Sequence, residues 1–157
     1  IRLEEDGRLI ESMSFSTFKY EQIYEENFDD SIQRDYFEST KFMFVIFKKK
    51  NDVYVLYDIK FWNMPISILD NEFKDVWLHT QSIVREGAIV KEVKNGLYIS
   101  NFINKSEHPM FHVRPHAKNR EDTYALPVVD KVTGLKSYTK HCFWINNDYV
   151  KQIISAK

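Results

Sequence analysis

A chain of 157 residues, 43% hydrophobic and 29% charged, has the length and balance of one globular domain and not of a fibrous or disordered chain. No apolar run approaches the ~18 residues of a membrane-spanning helix and no signal peptide is visible, so no membrane partner is expected. The net charge of -1 gives no global sign of a polyanion partner, but its distribution is uneven: His108 to Lys157 carries +4 and the remainder -5, and four of the five histidines fall in that basic third. Such a cluster is either a solvated surface or one positive face for a polyanion. The single cysteine, Cys142, has no internal disulfide partner, which fits a reducing cytoplasm. The chain opens on Ile1 rather than Met, and is expected to be a fragment lacking an N-terminal part.

In chain order, Ile1 to Leu3 and Leu9 to Phe15 flank the turn signal Glu5-Asp6-Gly7 and read as a strand pair. Ser16 or Thr17 is placed to cap a helix holding Phe18, Ile23 and Tyr24. Residues Asp29 to Thr40 are polar and read as irregular or as a short helix. Two β-rich runs, Lys41 to Lys48 and Val53 to Trp62, surround the turn Lys50-Asn51-Asp52 and read as a hairpin. Leu69, Phe73, Val76, Trp77, Thr80, Ile83 and Val84 recur at spacings of three and four, which predicts a helix capped by Ser67 and closed by Gly87. A second hairpin, Ile89 to Val93 and Leu97 to Ser100, turns on Asn95-Gly96. Met110 to Arg114 reads as a strand stopped by Pro115, His116 to Lys140 as a long loop with some helix, and Cys142 to Ile145 as a strand. A terminal helix follows, capped by Asn146 or Asn147 and holding Tyr149, Val150, Ile153 and Ile154. The sum is one domain, 1–157, of mixed α/β (α+β) class: a largely antiparallel sheet packed on a long helix.

The segment His112-Val-Arg-Pro-His-Ala-Lys-Asn-Arg120, followed by Cys142-Phe-Trp-Ile-Asn-Asn-Asp-Tyr149, resembles the MutH family of GATC-specific endonucleases. Glu11-Ser-Met-Ser-Phe15, the Phe42 to Phe47 run with Ile59-Lys-Phe-Trp62, and the Trp77 helix ending at Gly87 fit the same template in order. In detail the chain looks most like the C-terminal half of those GATC-cutting type II restriction endonucleases that have two such domains. The resemblance implies a restriction-endonuclease-like fold, double-stranded DNA with the sequence GATC as partner, and an allosteric role beside a catalytic N-terminal domain of the same parent chain.

It also implies the site. Arg114 would enter the DNA groove, where its planar fork suits guanine O6 and N7. Position 116 is often Lys in the family and is His116 here, mostly neutral at pH 7. Lys118 and Arg120 would grip phosphates, and Asn119 would offer its amide to a base edge or organise the turn. Trp144 stands where the mismatch-repair members carry a tyrosine that senses adenine methylation, and Lys41 resembles a lysine that begins a strand near the family's cleavage site. Each has a plainer reading: Arg114 pairing with Asp122, Trp144 in the core, His116 structural or facing solvent, Lys41 a surface lysine.

Metal-dependent DNA cleavage needs carboxylates to hold Mg²⁺ and a lysine beside them. The family's Asp and Glu-x-Lys pattern would lie upstream of Ile1, so no catalytic residue and no cofactor are expected in this segment, while Mg²⁺ is expected for the parent enzyme; the alternatives are a working GATC endonuclease completed by that upstream pattern, and a protein-interaction or dimerisation module. Two internal look-alikes, Asp52 with Asp58-Ile59-Lys60 and Glu92-Val93-Lys94, match the short pattern, and Glu11 follows the family's cleavage hairpin. His108, His112 and His116 are spaced by four, but Pro109 and Pro115 forbid the helix that would align them as zinc ligands with Cys142.

Overall fold

The computed structural model describes all 157 residues. Strand β1 (Arg2–Leu3) lies parallel to β3 (Lys41–Lys50), which pairs antiparallel with β4 (Val53–Asn63). The β3–β4 turn runs through Asn51 and Asp52, both at positive φ (49° and 61°), the twist that a two-residue hairpin turn demands and that Asn and Asp tolerate. One bulge interrupts the pair: Ile46 faces Asp58 and Phe47 faces Leu56, leaving Tyr57 as the extra residue. A second three-stranded sheet is antiparallel throughout, in the order β2 (Met13–Thr17), β10 (His141–Ile145), β7 (Phe111–Pro115). Two hairpins, β5 (Val90–Lys94) with β6 (Leu97–Ser100) and β8 (Thr123–Ala125) with β9 (Ser137–Thr139), stand apart from these sheets.

The mixed α/β class and the antiparallel pairings are as expected, but the strands form separate sheets rather than one. The N-terminal strand pair is corrected to a single bridge, Leu3 to Leu9, because β1 turns to β3 and β2 to β10. Helix α1 (Tyr20–Glu25) starts after Lys19 with no side-chain cap, so neither Ser16 nor Thr17 caps it. Residues Phe28–Asp30 form a 3₁₀ turn, and α2 (Ile32–Ser39) is capped by Ser31, whose hydroxyl accepts from the Arg34 N–H at 3.2 Å.

Helix α3 spans 66–85 and begins after Pro65, with Ser67 inside its first turn rather than at its cap. A wide π-helical turn at Leu69–Phe73 precedes the regular segment Lys74–Arg85. The predicted stripe is buried in full: Leu69, Phe73, Val76, Trp77, Thr80, Ile83 and Val84. Phe73 joins the layers, its ring centroid 5.3 Å from Phe111 of β7, 5.2 Å from Phe143 of β10 and 4.9 Å from Phe37 of α2. Gly87, at φ +63°, turns the chain out of α3; a Cβ there would stand 2.6 Å from the Val129 carbonyl oxygen.

The stretch 116–140 is corrected from loop with some helix to a tight turn, the β8–β9 hairpin and an Asp130-centred turn. The Asp130 carboxylate accepts from the N–H groups of Val90 (2.9 Å), Val132 (3.2 Å) and Thr133 (2.9 Å) and from the Thr133 hydroxyl (2.7 Å). These bonds together hold its pKa below the usual carboxylate range against the opposing effect of burial. Asn146 precedes helix α4 (Asn147–Ser155) as expected, but its side chain makes no capping bond and is used elsewhere.

Candidate nucleic-acid interface

Strand alternation builds the site. On β7, Phe111 and Val113 turn into the core, so His112, Arg114 and, beyond the strand end, His116 share the opposite face. On β10, Phe143 and Ile145 are buried in the core and Trp144 takes the other face. The register sets Trp144 opposite His112 and Cys142 opposite Arg114. The indole therefore collects three side chains. The Arg114 guanidinium carbon lies 3.7 Å from its ring centroid, the His112 ring lies at 5.9 Å and nearly parallel (16°), and His116 meets it edge-on at 5.7 Å.

Trp144 is half-buried and outside the apolar core, and its buried Nε1–H has no hydrogen-bond partner. Arg114 is exposed, and its fork is free of carboxylates: the Arg114–Asp122 pair is corrected, because Asp122 is held by Lys140 at 2.8 Å. That bond from Lys140, and then one from the Lys118 N–H, keep the Asp122 carboxyl below the usual carboxylate range.

The turn beyond Pro115 is pinned through its backbone. Asn119 Oδ1 accepts from the N–H groups of Glu121 and Asp122, both at 3.0 Å, so this half of its amide organises the turn. The Thr139 hydroxyl donates to the Arg120 carbonyl at 2.9 Å, and the His116 N–H donates to the Lys140 carbonyl at 2.9 Å. The exposed side chains of His116 and Lys118 are carried on this fixed loop. Arg120 turns aside to the β5–β6 hairpin, its guanidinium carbon 4.3 Å from the Tyr98 centroid. Lys41 lies on the other sheet, its Nζ 5.1 Å from the Phe61 centroid, and no ion pair or ring contact joins it to the Trp144 group.

Two residues escaped the sequence-based site. His112 is 1% exposed, and its Nδ1 lies 2.5 Å from Asn146 Oδ1. The Asn146 amide nitrogen donates to the carbonyls of His108 (2.6 Å) and Lys105 (3.3 Å), which fixes its oxygen toward the imidazole. The signal available in the sequence was the alternation His112-x-Arg114-x-His116.

The acidic look-alikes do not converge. Asp52 sits at the β3–β4 tip beside Lys49, Asp58 accepts from the Ile59 N–H at 2.8 Å, and Lys60 donates to the Ala156 carbonyl. Glu92 and Lys94 are on β5, and Glu11 is paired with Arg2. A Mg²⁺ site needs several oxygens around one point, and these residues do not fit one. His108, His112, His116 and Cys142 form no group that could hold a metal ion; His108 Nδ1 accepts from the N–H groups of Met110 and Phe111, and burial pushes the Cys142 thiol up to about 11.

An outward-facing guanidinium on an aromatic plate, flanked by a loop with cationic side chains, is the equipment of a nucleic-acid-contacting surface. The sequence is similar to part of a type II restriction enzyme. It is 33% identical over 168 aligned residues, 90% of this chain, to the type II restriction enzyme Sau3AI of Staphylococcus aureus. The alignment takes in 34% of that enzyme, so the chain spans about a third of its relative's length. No protein-family model matches the sequence.

Proposed function

We propose that this chain is a MutH-type DNA-binding domain of a type II restriction endonuclease, reading duplex DNA at GATC without cutting it and regulating a catalytic N-terminal neighbour. The observation that carries the reading is the exposed Arg114 guanidinium over the half-buried Trp144 indole, 3.7 Å from its centroid, on the side of β7 and β10 turned away from Phe111, Val113 and Phe143. The indole biases the orientation of the guanidinium, and a planar, pre-oriented fork is what guanine O6 and N7 select. Lys118, and Asn119 through its free amide nitrogen, flank it; Arg120 reaches phosphate by leaving Tyr98, and His116 edges the indole. GATC comes from the MutH resemblance, and the relationship to a restriction enzyme supports DNA as the partner. Asp52, Asp58, Glu92 and Glu11 stand apart from one another, and in this reading the Asp and Glu-x-Lys pattern that holds Mg²⁺ belongs to the catalytic neighbour.

The test is fluorescence anisotropy with a GATC duplex and a scrambled duplex across a salt series, with Mg²⁺ present and a gel to detect cutting. Tighter binding of GATC with intact DNA is the expected result. Cleavage would assign catalysis to the chain itself. Equal weakness on both duplexes would reject DNA reading and favour a protein-interaction module.

A further inference from the structure

We propose that His112, held by Asn146, is the positioning residue of the DNA-reading group: it touches no DNA and sets the plane of Trp144, on which Arg114 rests. This inference rests on the DNA-binding reading above. His112 faces Trp144 across the β7–β10 ladder, and its ring lies within 16° of parallel to the indole. Because the Asn146 nitrogen is committed to two carbonyls, Asn146 Oδ1 is an acceptor, and the proton of neutral His112 resides on Nδ1. Nε2 is then a bare acceptor, buried without a partner.

Three demands meet at this position. The side chain must be flat, to lie along an indole. It must donate on one edge, because Asn146 Oδ1 is otherwise left without a partner in a buried place. It must stay uncharged, because Arg114 stands two residues away on the same strand face and Lys105 is bound through its carbonyl to Asn146. Burial, with Arg114 and Lys105 adding to it and the Asn146 bond opposing, holds the imidazole pKa below its ordinary value. Phenylalanine meets the first and third demands, glutamine the second and third, and neutral histidine all three. Asn146 also ties the plate to the frame: its backbone N–H donates to the Met110 carbonyl at 2.8 Å, and it stands at the start of α4.

The experiment compares H112F, which keeps the plane, and H112Q, which keeps the donor, with the unaltered chain. Three readouts are taken: the ratio of dissociation constants for scrambled and GATC duplexes, the salt dependence of each, and the indole N–H resonances, one for each of the three tryptophans. Both variants are expected to lower the discrimination ratio roughly five- to tenfold, with the salt dependence unchanged, since phosphate contacts are untouched. The Trp144 indole resonance is expected to move while those of Trp62 and Trp77 hold still. Discrimination kept at its original value in both variants would overturn the proposal. So would an equal loss on both duplexes with the Trp62 and Trp77 resonances unmoved, whereas shifts at all three indoles report a variant that has not folded. If either variant fails to fold, N146S loosens the same ring from the other side and is held to the same outcomes. An unaltered chain that does not prefer GATC would reject the DNA reading itself, a result seen before any variant is made.

Discussion

The Arg114 guanidinium carbon lies over the Trp144 indole, 3.7 Å from its centroid, on neighbouring strands, with Cys142 rather than Trp144 directly opposite Arg114 in the ladder. The arginine therefore leans along the sheet to reach the ring, and no carboxylate competes for it now that Asp122 is bound to Lys140. A guanidinium at an exposed aromatic face gains ~0.5–1 kcal/mol, enough to bias its orientation and little enough to leave it free to turn to a base. Replacing Arg114 with Lys keeps the charge and removes the fork. The expected loss is about 1–3 kcal/mol on GATC with little change on a scrambled duplex. Titrations of both duplexes with the variant check it; equal losses would reduce Arg114 to a phosphate contact.

Lys118 has a different expected signature. It is exposed on a loop whose backbone is fixed by Asn119 and Asp122, and no acid is paired with it. Lys118→Ala should weaken both duplexes alike and lower the magnitude of the slope of log K against log salt by about one. A loss confined to GATC in the same salt series would contradict this and put Lys118 on a base edge.

What the sequence made legible follows the strength of its periodic signals. The α3 stripe from Leu69 to Val84 and the Asn51-Asp52 and Asn95-Gly96 turns carry their geometry in local residue chemistry, and all are present. The destinations of β1 and of the stretch leading into β2 are not local: Leu3 and Leu9 touch in a single bridge, while Val45, 44 residues away, accepts from the Ile1 ammonium, and the Ser12 hydroxyl accepts from the Asn147 N–H, 135 residues away. The β8–β9 hairpin has strands of three residues and is organised by the one Asp130 carboxylate, a many-partner role that no spacing announces. The same holds at the site. Arg114, Trp144 and Lys118 stand in quotable motifs, but the work of His112 and Asn146 emerges only when β7 and β10 are laid in register.

Gly87 tests how the 128–131 turn is held against the end of α3. Its carbonyl accepts from the Lys131 N–H at 2.9 Å, and Val128 and Val129 close over the place a side chain would fill. Gly87→Ala combines a left-handed backbone with a contact too short for any Cβ, and the obstacle is a backbone carbonyl that cannot swing away. The expected destabilisation is at least about 2 kcal/mol, or roughly 4–8 °C in melting temperature. Calorimetry decides it; an unchanged melting temperature would mean that the 128–131 turn yields easily.

His141 gives the fold a pH dependence of definite sign. It is 3% exposed, lies against the rings of Phe102 (4.6 Å) and Tyr138 (5.4 Å), and its Nδ1 is 2.6 Å from the Thr139 carbonyl oxygen. Burial pushes its pKa down to about 4, with the Thr139 bond opposing. The unfolded chain binds this proton near pH 6.5 and the folded chain does not, so the stability is complete above about 6.5 and is lost as pH falls toward 4. Full expression of the shift corresponds to about 3 kcal/mol. His108 and His112 are lowered as well, by burial first, and add to the same window. Asp122 and Asp130 respond only at lower pH, since their folded values lie below the usual carboxylate range. Denaturant melts between pH 7 and 4 should therefore show a steady loss of stability, with a smaller loss in His141→Phe, whose ring still fits between Phe102 and Tyr138. Parallel curves for the two proteins would show that His141 takes up its proton without unfolding, and would move the origin of the slope to His112 and His108.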